Sequence, residues 1–438
     1  MSFFSKIFNR NTNLKDPDIQ FGRYTDSYKA DEKYQNWDKA IEYFDNEKYI
    51  KSYKEFLQFL TQGEQKNVSY TLLPGKIVFK IYQGSKIING EANFSQFKAE
   101  ARIVKYDVPN IELMQLLLEE NFNLKYTKYA LNDANCICLV FDTFVEDGSP
   151  QKIYQALKEL ATEADRKDDV LMSRFDNLFP VDYDHMRKID SKEKKIKFKY
   201  FKKWISSVLL EVGSKSLDKN LYPGGLSYFL LNLLYKIDYL IKPEGTIMEC
   251  IKDCHDLYFN DNITNVLEKN EIILSRIKEM DAMTFELFDK ELYEVNSTFG
   301  TSMPEGHQRL ADIIEAQMDD FDWYAENGYE VYAQSICGYL AGFSLFSYSL
   351  PAPSKALLKL YYRIIASDFF SELGYQNQFL SNDQPINKLI LKAIKKILIT
   401  HQPDFPNIAI PVKLLDFSNN CRFYKSFFVM IQKTTYHV

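Results

Sequence analysis

The sequence contains few of the residues that interrupt regular structure or form cross-links. Its 438 residues include only 16 Gly and 14 Pro, whereas these two residues together make up about 12% of average proteins. The six Cys are scattered along the chain instead of forming a dense framework. We therefore expect long helices with short loops, and we expect the cysteines to be the reduced thiols of a cytoplasmic protein.

Long hydrophobic runs are missing as well. The most apolar stretches, residues 226–234 and 339–350, are shorter than the about 20 residues that a transmembrane helix needs, so we expect no membrane span. Residues 1–10 lack the sustained apolar run of a signal peptide. The large apolar side chains among them predict a short amphipathic helix that docks on the protein itself or contacts a membrane surface.

An excess of positive charge is also absent. The chain has 54 Lys and Arg against 60 Asp and Glu, a net charge of −6, whereas a nucleic-acid-binding domain typically has a pI above about 9. A basic run at residues 187–203 is either a phosphate-contacting surface or, as we favour, the solvated face of a helix. An acidic stretch at residues 304–330 is a divalent-cation site, a groove for a basic peptide or, as we favour, a solvated helix face with its aromatic residues turned inward. We expect no nucleic-acid partner.

The common catalytic motifs are not present, because the sequence has no G-x-S-x-G, P-loop, G-x-G-x-x-G or H-E-x-x-H pattern. Cys250, Cys254 and His255 are of metal-ligating types, but on a helix the two cysteines share a face while His255 points about 100° away. A structural zinc site usually needs a second ligand pair at a set spacing, and no other Cys/His pair exists. We therefore assign no catalytic, cofactor or metal-binding residues.

Residues 30–61 predict a helical hairpin. Small residues, Ala40 and Ser52, stand where its two helices pack closely, and Tyr49 and Phe56 occupy aromatic positions. The hairpin resembles one tetratricopeptide motif. Because no second copy follows and a solenoid needs about three repeats, we expect a single hairpin that leans on the next domain.

Alternating apolar and polar residues predict about five antiparallel strands between residues 68 and 144, and little or no sheet after residue 180. Helices are predicted at residues 110–121 and 150–172, packed on one face of the sheet. The inward-facing residues of the first of these helices are predicted to be Ile111, Met114, Leu117 and Leu118.

The order helix, strands, helix, two strands, helix resembles that of YbjN-like domains and type III secretion chaperones. The best local match is the run from Asn121 to Thr143, which contains Asn-Phe-Asn-Leu-Lys-Tyr, Tyr-Ala-Leu-Asn-Asp and Phe-Asp-Thr. The resemblance covers about residues 68–172 and implies an α+β fold, with an antiparallel sheet covered by helices on one face. It further implies that the open face or the edges of the sheet bind extended segments of a client.

Three regions follow from these patterns. Residues 1–66 form an N-terminal segment with the hairpin, residues 67–180 form the chaperone-like α+β domain, and residues 181–438 form a large all-α domain. The last prediction depends on successive apolar stripes with helical spacing, which run from about residue 226 to residue 398.

A partner surface is predicted on the second face of the sheet. Ile77, Phe79 and Ile81 are expected to face the covering helices, which makes Val78 and Tyr82 the candidate partner-binding residues. A sheet with apolar residues on both faces needs a cover for the second one. That cover is the all-α domain, a second copy of the chain in a homodimer, or a client protein.

Two functions remain open from the sequence. The preferred one is a non-enzymatic, chaperone-like or regulatory protein that binds another protein or a peptide. The alternative is an enzyme whose site forms between the domains from dispersed acidic residues and a histidine. The candidate residues of that enzyme are Glu305, His307, Asp319, Asp320 and Asp322.

Overall fold

The structure is a computed structural model that describes residues 16–62, 67–108, 110–260, Asn262, 265–376, 378–382 and 384–437. The amphipathic helix predicted for residues 1–10 lies outside the described residues. The described helices are α1 (Asp31–Asp45), α2 (Tyr49–Leu60), α3 (Ile111–Glu120), α4 (Pro150–Arg174), α5 (Ser191–Ser214), α6 (Pro223–Leu240), α7 (Gly245–Tyr258), α8 (Val266–Asp281), α9 (Phe285–Lys290), α10 (His307–Glu326), α11 (Glu330–Ser347), α12 (Ala352–Ile365), α13 (Ser367–Glu372), α14 (Asn387–His401) and α15 (Asn420–Gln432).

Seven antiparallel strands form one sheet in the first half of the chain. They are β1 (Val68–Leu73), β2 (Lys76–Gln83), β3 (Lys86–Ala92), β4 (Gln96–Tyr106), β5 (Lys128–Leu131), β6 (Cys136–Phe144) and β7 (Leu178–Pro180). Their spatial order is β1-β2-β3-β4-β6-β5, and β7 pairs with the end of β4. The predicted α+β fold with an antiparallel sheet is confirmed.

β7 lies beyond the region 68–144 in which the sequence predicts all strands. β4 has 11 residues whereas its neighbour β3 has 7. The last residues of β4 would therefore have unpaired backbone groups on that side, and β7 pairs with Val104–Tyr106 instead. Farther along the described chain, sheet structure is limited to ladders of two or three residues, which join 187–188 to 293–294, 303–304 to 348–349, 380–381 to 384–385 and 407–409 to 435–437.

One face of the sheet carries the core of this half. Phe79 of β2 lies in it opposite Gly90 of β3, where a Cβ atom would come within 2.1 Å of the Phe79 ring. The hairpin helix α2 places Tyr53 against Phe97 of β4, with ring centroids 5.2 Å apart. The long helix α4 contributes its buried stripe to the same core. Helices thus cover one face of the sheet, as predicted.

The inward face of α3 differs from the prediction. Leu113 and Leu117 pack in the core, whereas Ile111 and Leu118 have 86% and 65% of their surface exposed. Apolar residues surround most of this helix, so its periodicity does not select a face. Ion pairs from α4, Arg174 to Glu112 and Lys167 to Glu120, accompany the observed orientation.

The second half is helical, with α6 and α11 at its centre. In each of these two helices, 13 of the 18 residues are buried. They approach so closely that a Cβ atom on Gly338 would lie 2.0 Å from the side chain of Asn232, and one on Gly342 would lie 2.4 Å from that of Tyr235. Glycine at these positions of α11 therefore permits the contact with α6.

Two segments join the halves. Residues 16–30, here called the N-terminal strap, contain no helix or strand and contact both halves. Arg23 in the strap pairs with Asp238 of α6, and Asp26 accepts a hydrogen bond from Tyr154 of α4. The second segment is the stretch between α9 and α10. Its residue Phe299 packs in the core of the sheet-containing half.

Candidate functional site: an interdomain cavity

A cavity of about 1010 Å³ lies between the two halves. Its walls come from the N-terminal strap, from α4 on the sheet side, and from α6, α7 and α12 on the helical side. Pockets of 300–1,000 Å³ accommodate most small ligands and cofactors. The cavity is therefore large enough for a ligand of nucleotide size.

The wall formed by α12 is basic. Lys355, Lys359 and Arg363 line the cavity at intervals of four residues, a spacing that places side chains on one helix face. Most other side chains of α12 are buried in the helical core. The sequence between residues 351 and 367 contains no Asp or Glu, so the helix supplies no countercharge of its own.

These three cations have few partners. The Lys355 Nζ donates a hydrogen bond to Thr25 Oγ1 at 2.7 Å. Lys359 makes no hydrogen bond or ion pair with any described residue, and no described carboxylate lies within 4 Å of the Arg363 guanidinium. Arg363 instead lies over the rings of Phe370 and Tyr375, at 4.5 and 4.2 Å from their centroids.

Burial lowers the pKa of all three groups. The pKa of Lys355 falls to about 8, because burial and then the neighbouring charge of Lys359 disfavour its ammonium form. Burial alone lowers the pKa of Lys359, and burial is the largest effect that lowers the pKa of Arg363. An anion bound against α12 would offset this cost.

Three of the other four Lys and Arg side chains that line the cavity have acidic partners, and one of these is Lys252, which pairs with Asp256. Arg23 pairs with Asp238 at 2.7 Å. Arg166 of α4 pairs with Glu163 of the same helix and with Glu249 of α7, at 3.0 and 2.8 Å. Lys242 makes no ion pair with a described residue, so the unpaired cations of the cavity are Lys242 and the three on α12.

An acidic pair belongs to the same cavity. Asp165 Oδ1 of α4 accepts a hydrogen bond from the Ser85 backbone N–H at 2.7 Å. Burial, and next the nearby Glu244, raise the pKa of Asp165 well above its usual value. Burial also raises the pKa of Glu244 to about 7, although Lys242 and Arg23 partly oppose the shift. Burial therefore favours the uncharged form of Glu244 near neutral pH, and a protonated carboxyl group has an O–H donor to offer a ligand.

The strap fits closely into this arrangement. Gly22 has a φ of +71° and donates its backbone N–H to the Tyr239 carbonyl at 2.9 Å. A Cβ atom on Gly22 would lie 2.6 Å from the Tyr239 ring. Glycine therefore allows the strap to lie against α6 and to close one side of the cavity.

The predicted partner-binding residues, Val78 and Tyr82, lie outside the cavity. Val78 is half-buried on the second face of the sheet, where its cross-strand neighbours are Thr71 and Glu91. Tyr82 is half-buried and packs against His185, with ring centroids 5.4 Å apart. Charged and polar side chains alternate with the few apolar ones on this face, so Val78 does not belong to a continuous apolar surface.

The residues of the alternative enzyme do not meet in the cavity, and none of them lines it. His307 Nδ1 lies 3.0 Å from Ser354 Oγ. Asp320 accepts a hydrogen bond from Tyr228, and Asp322 pairs with Lys425 of α15 at 2.6 Å. The backbone carbonyl of Glu305 accepts a hydrogen bond from Tyr28 in the strap.

Cys250 and Cys254 have free thiols and lie on one face of α7. His255 points elsewhere, as predicted: it lines the cavity, its Nδ1 lies 2.7 Å from the Tyr235 hydroxyl, and burial lowers its pKa to about 4. Within the described ranges, no group of three or more His, Cys, Asp or Glu side chains is arranged to hold a metal ion.

The basic face of α12 is not among the features predicted from the sequence. Three cations at four-residue spacing on an otherwise apolar, acid-free helix are the signal that would have indicated it. No comparable signal in the sequence indicates the contribution of the strap. Residues 16–30 contain no periodic pattern, and they reach the cavity through contacts with residues far away in the sequence.

Comparison with known proteins found neither a family model nor a curated protein that matches the chain. The resemblance to YbjN-like domains and secretion chaperones stays a prediction. None of the helices in the described part of the chain is both long and apolar enough to cross a bilayer.

Proposed function

We propose that this protein binds an anionic small molecule in the interdomain cavity. The observation that carries the proposal is the basic face of α12, where Lys355, Lys359 and Arg363 make no ion pair with any described carboxylate. Asp16 of the strap partly offsets the charge of Arg363 without forming an ion pair with it. Burying a charge without a partner is costly, because the charge loses its hydration. An anionic ligand restores the missing interactions, and ligand binding would stabilise the folded state.

Thermal unfolding in phosphate and in chloride of equal ionic strength tests this proposal. Phosphate should raise the melting temperature of the wild type by several degrees more than that of Lys359→Met, which keeps the aliphatic stem but removes the charge. The matched control is Lys392→Met, because Lys392 is exposed on α14. Phosphate also stabilises folded proteins in general, and this effect should be the same for the wild type and both variants. Equal shifts in all three would contradict the proposal.

A second candidate function is the binding of a protein or peptide, including a second copy of the chain. The observation that favours it is a set of exposed apolar side chains, here called the α3 stripe, formed by Ile111 and Leu118 of α3 and by Phe122 in the turn after it. Their exposed fractions are 86%, 65% and 92%. Exposed apolar patches often mark interaction sites. The stripe lies apart from the cavity, so both functions are compatible in one regulatory protein.

We also propose a cellular location for the protein and a role in binding rather than catalysis. The six free thiols support a reducing compartment such as the cytoplasm. A role in binding rather than catalysis, without a cofactor and without a nucleic-acid partner, stays a prediction from the sequence.

A further inference from the structure

The basic face of α12 is long as well as unpaired. Lys355 and Arg363 are eight residues apart, which corresponds to about 12 Å along the helix axis. Lys359 lies midway between them, one turn from each. A single carboxylate or phosphate group would therefore leave at least one end of this face without a countercharge.

We propose that the ligand is an organic polyphosphate of nucleotide size, whose phosphate chain lies along α12. This inference rests on the proposed function, since it specifies the anion in the same cavity. A chain of phosphate groups presents negative charge at successive positions, and it can contact all three cations at once. The volume of about 1010 Å³ leaves room for an organic group attached to the chain.

Arg363 supports phosphate as the anionic group. Its guanidinium packs against the rings of Phe370 and Tyr375, and its Nε is buried without a hydrogen-bond acceptor. A guanidinium that packs on aromatic rings and has no ion-pair partner suits the bidentate recognition of phosphate or carboxylate oxygens. Two lysines at one-turn intervals then extend the contact to further phosphate groups.

The acidic pair determines the orientation of the ligand. Asp165 and Glu244 both line the cavity. Their carboxyl groups repel phosphate when they are ionised, so the phosphate chain is disfavoured beside them. A neutral organic group with hydrogen-bond donors, such as a nucleoside, is compatible with these carboxyl groups. We therefore orient the phosphate chain toward α12 and the organic group toward α4 and Glu244.

Titration calorimetry with a series of phosphate chains tests the inference. Orthophosphate, pyrophosphate, triphosphate and adenosine triphosphate are each added to the full-length wild type without divalent cations. We expect the affinity to rise about tenfold with each added phosphate, because each one contacts another cation of α12. Arg363→Gln should weaken triphosphate binding about tenfold, whereas Lys392→Gln should leave it unchanged.

The outcomes separate the inference from the function on which it rests. Equal affinity for orthophosphate and triphosphate would overturn the polyphosphate inference and keep the anion-binding proposal. Tighter binding of citrate than of triphosphate would also overturn it, in favour of a polycarboxylate. No binding of any of these anions would overturn both. The wild-type series decides these outcomes even where Arg363→Gln fails to fold.

Discussion

Glu244 illustrates how the cavity acts on a single side chain. Burial raises its pKa from about 4.5 to about 7, against the opposing effects of Lys242 and Arg23 and with a reinforcing effect of Asp238. The folded protein therefore favours the protonated carboxyl group more than the unfolded chain does. The stabilisation that results is complete below pH 4.5 and is lost as the pH rises through about 7.

This shift predicts a pH-dependent effect of Glu244→Gln. At pH 8 the variant should be more stable than the wild type by about 1–3 kcal/mol, because it removes an ionised carboxylate from a buried position. At pH 5 the two proteins should be nearly equal in stability. Urea unfolding at both pH values measures the difference, with the exposed Glu315→Gln as the control. A gain of the same size at both pH values would contradict the assigned cause.

At the scale of elements, α3 carries buried and exposed apolar residues on one helix, and the two groups should differ in their effect on stability. Leu113 and Leu117 are buried in the core, so replacing either one with Ala should cost about 2–4 kcal/mol of unfolding free energy. Replacing Ile111 or Leu118 with Ala should change it by about 0.5 kcal/mol or less, since both are exposed. Urea unfolding of the four variants measures this. Comparable losses at all four positions would show that the α3 stripe is covered, for example by a second copy.

The strands and α3 show what local sequence can predict. β2 is identified by its alternation, because Ile77, Phe79 and Ile81 all lie on the face that the helices cover. The face of α3 is not identified, since apolar residues occupy most positions around it and contacts with α4 and the sheet determine which ones are buried. Local periodicity therefore predicts an element, whereas tertiary packing selects its face when the pattern is ambiguous.

The cavity could not be predicted from local sequence either, because the residues that form it are far apart in the chain. Its walls come from residues 19–25, from 162–166 and from 355–363, segments that are far apart in the sequence. A sequence pattern can indicate that α12 has an unpaired basic face. It cannot indicate that the strap and α4 lie opposite that face, because this arrangement depends on how the two halves pack.

At the scale of the whole molecule, Gln83 at the end of β2 connects the halves. Its Oε1 accepts hydrogen bonds from the backbone N–H groups of Thr298 and Phe299, at 3.0 and 2.9 Å, and its Nε2 donates to the Phe299 carbonyl at 3.3 Å. The Phe299 ring packs 5.6 Å from that of Tyr154 on α4. The segment before α10 is thus bound to the sheet by polar contacts and by apolar packing.

These contacts predict that the two halves unfold together. Scanning calorimetry of the wild type should show one transition, because the shared contacts couple both cores. Gln83→Leu leaves two buried N–H groups without acceptors and should lower the unfolding free energy by about 2–5 kcal/mol, with an earlier, separate transition of one half. The matched control is Gln151→Leu on the exposed side of α4, which should unfold like the wild type. Two separate transitions in the wild type would mean that the halves are stable independently. Identical behaviour of the two variants would mean that Gln83 does not couple the halves or maintain the cavity between them.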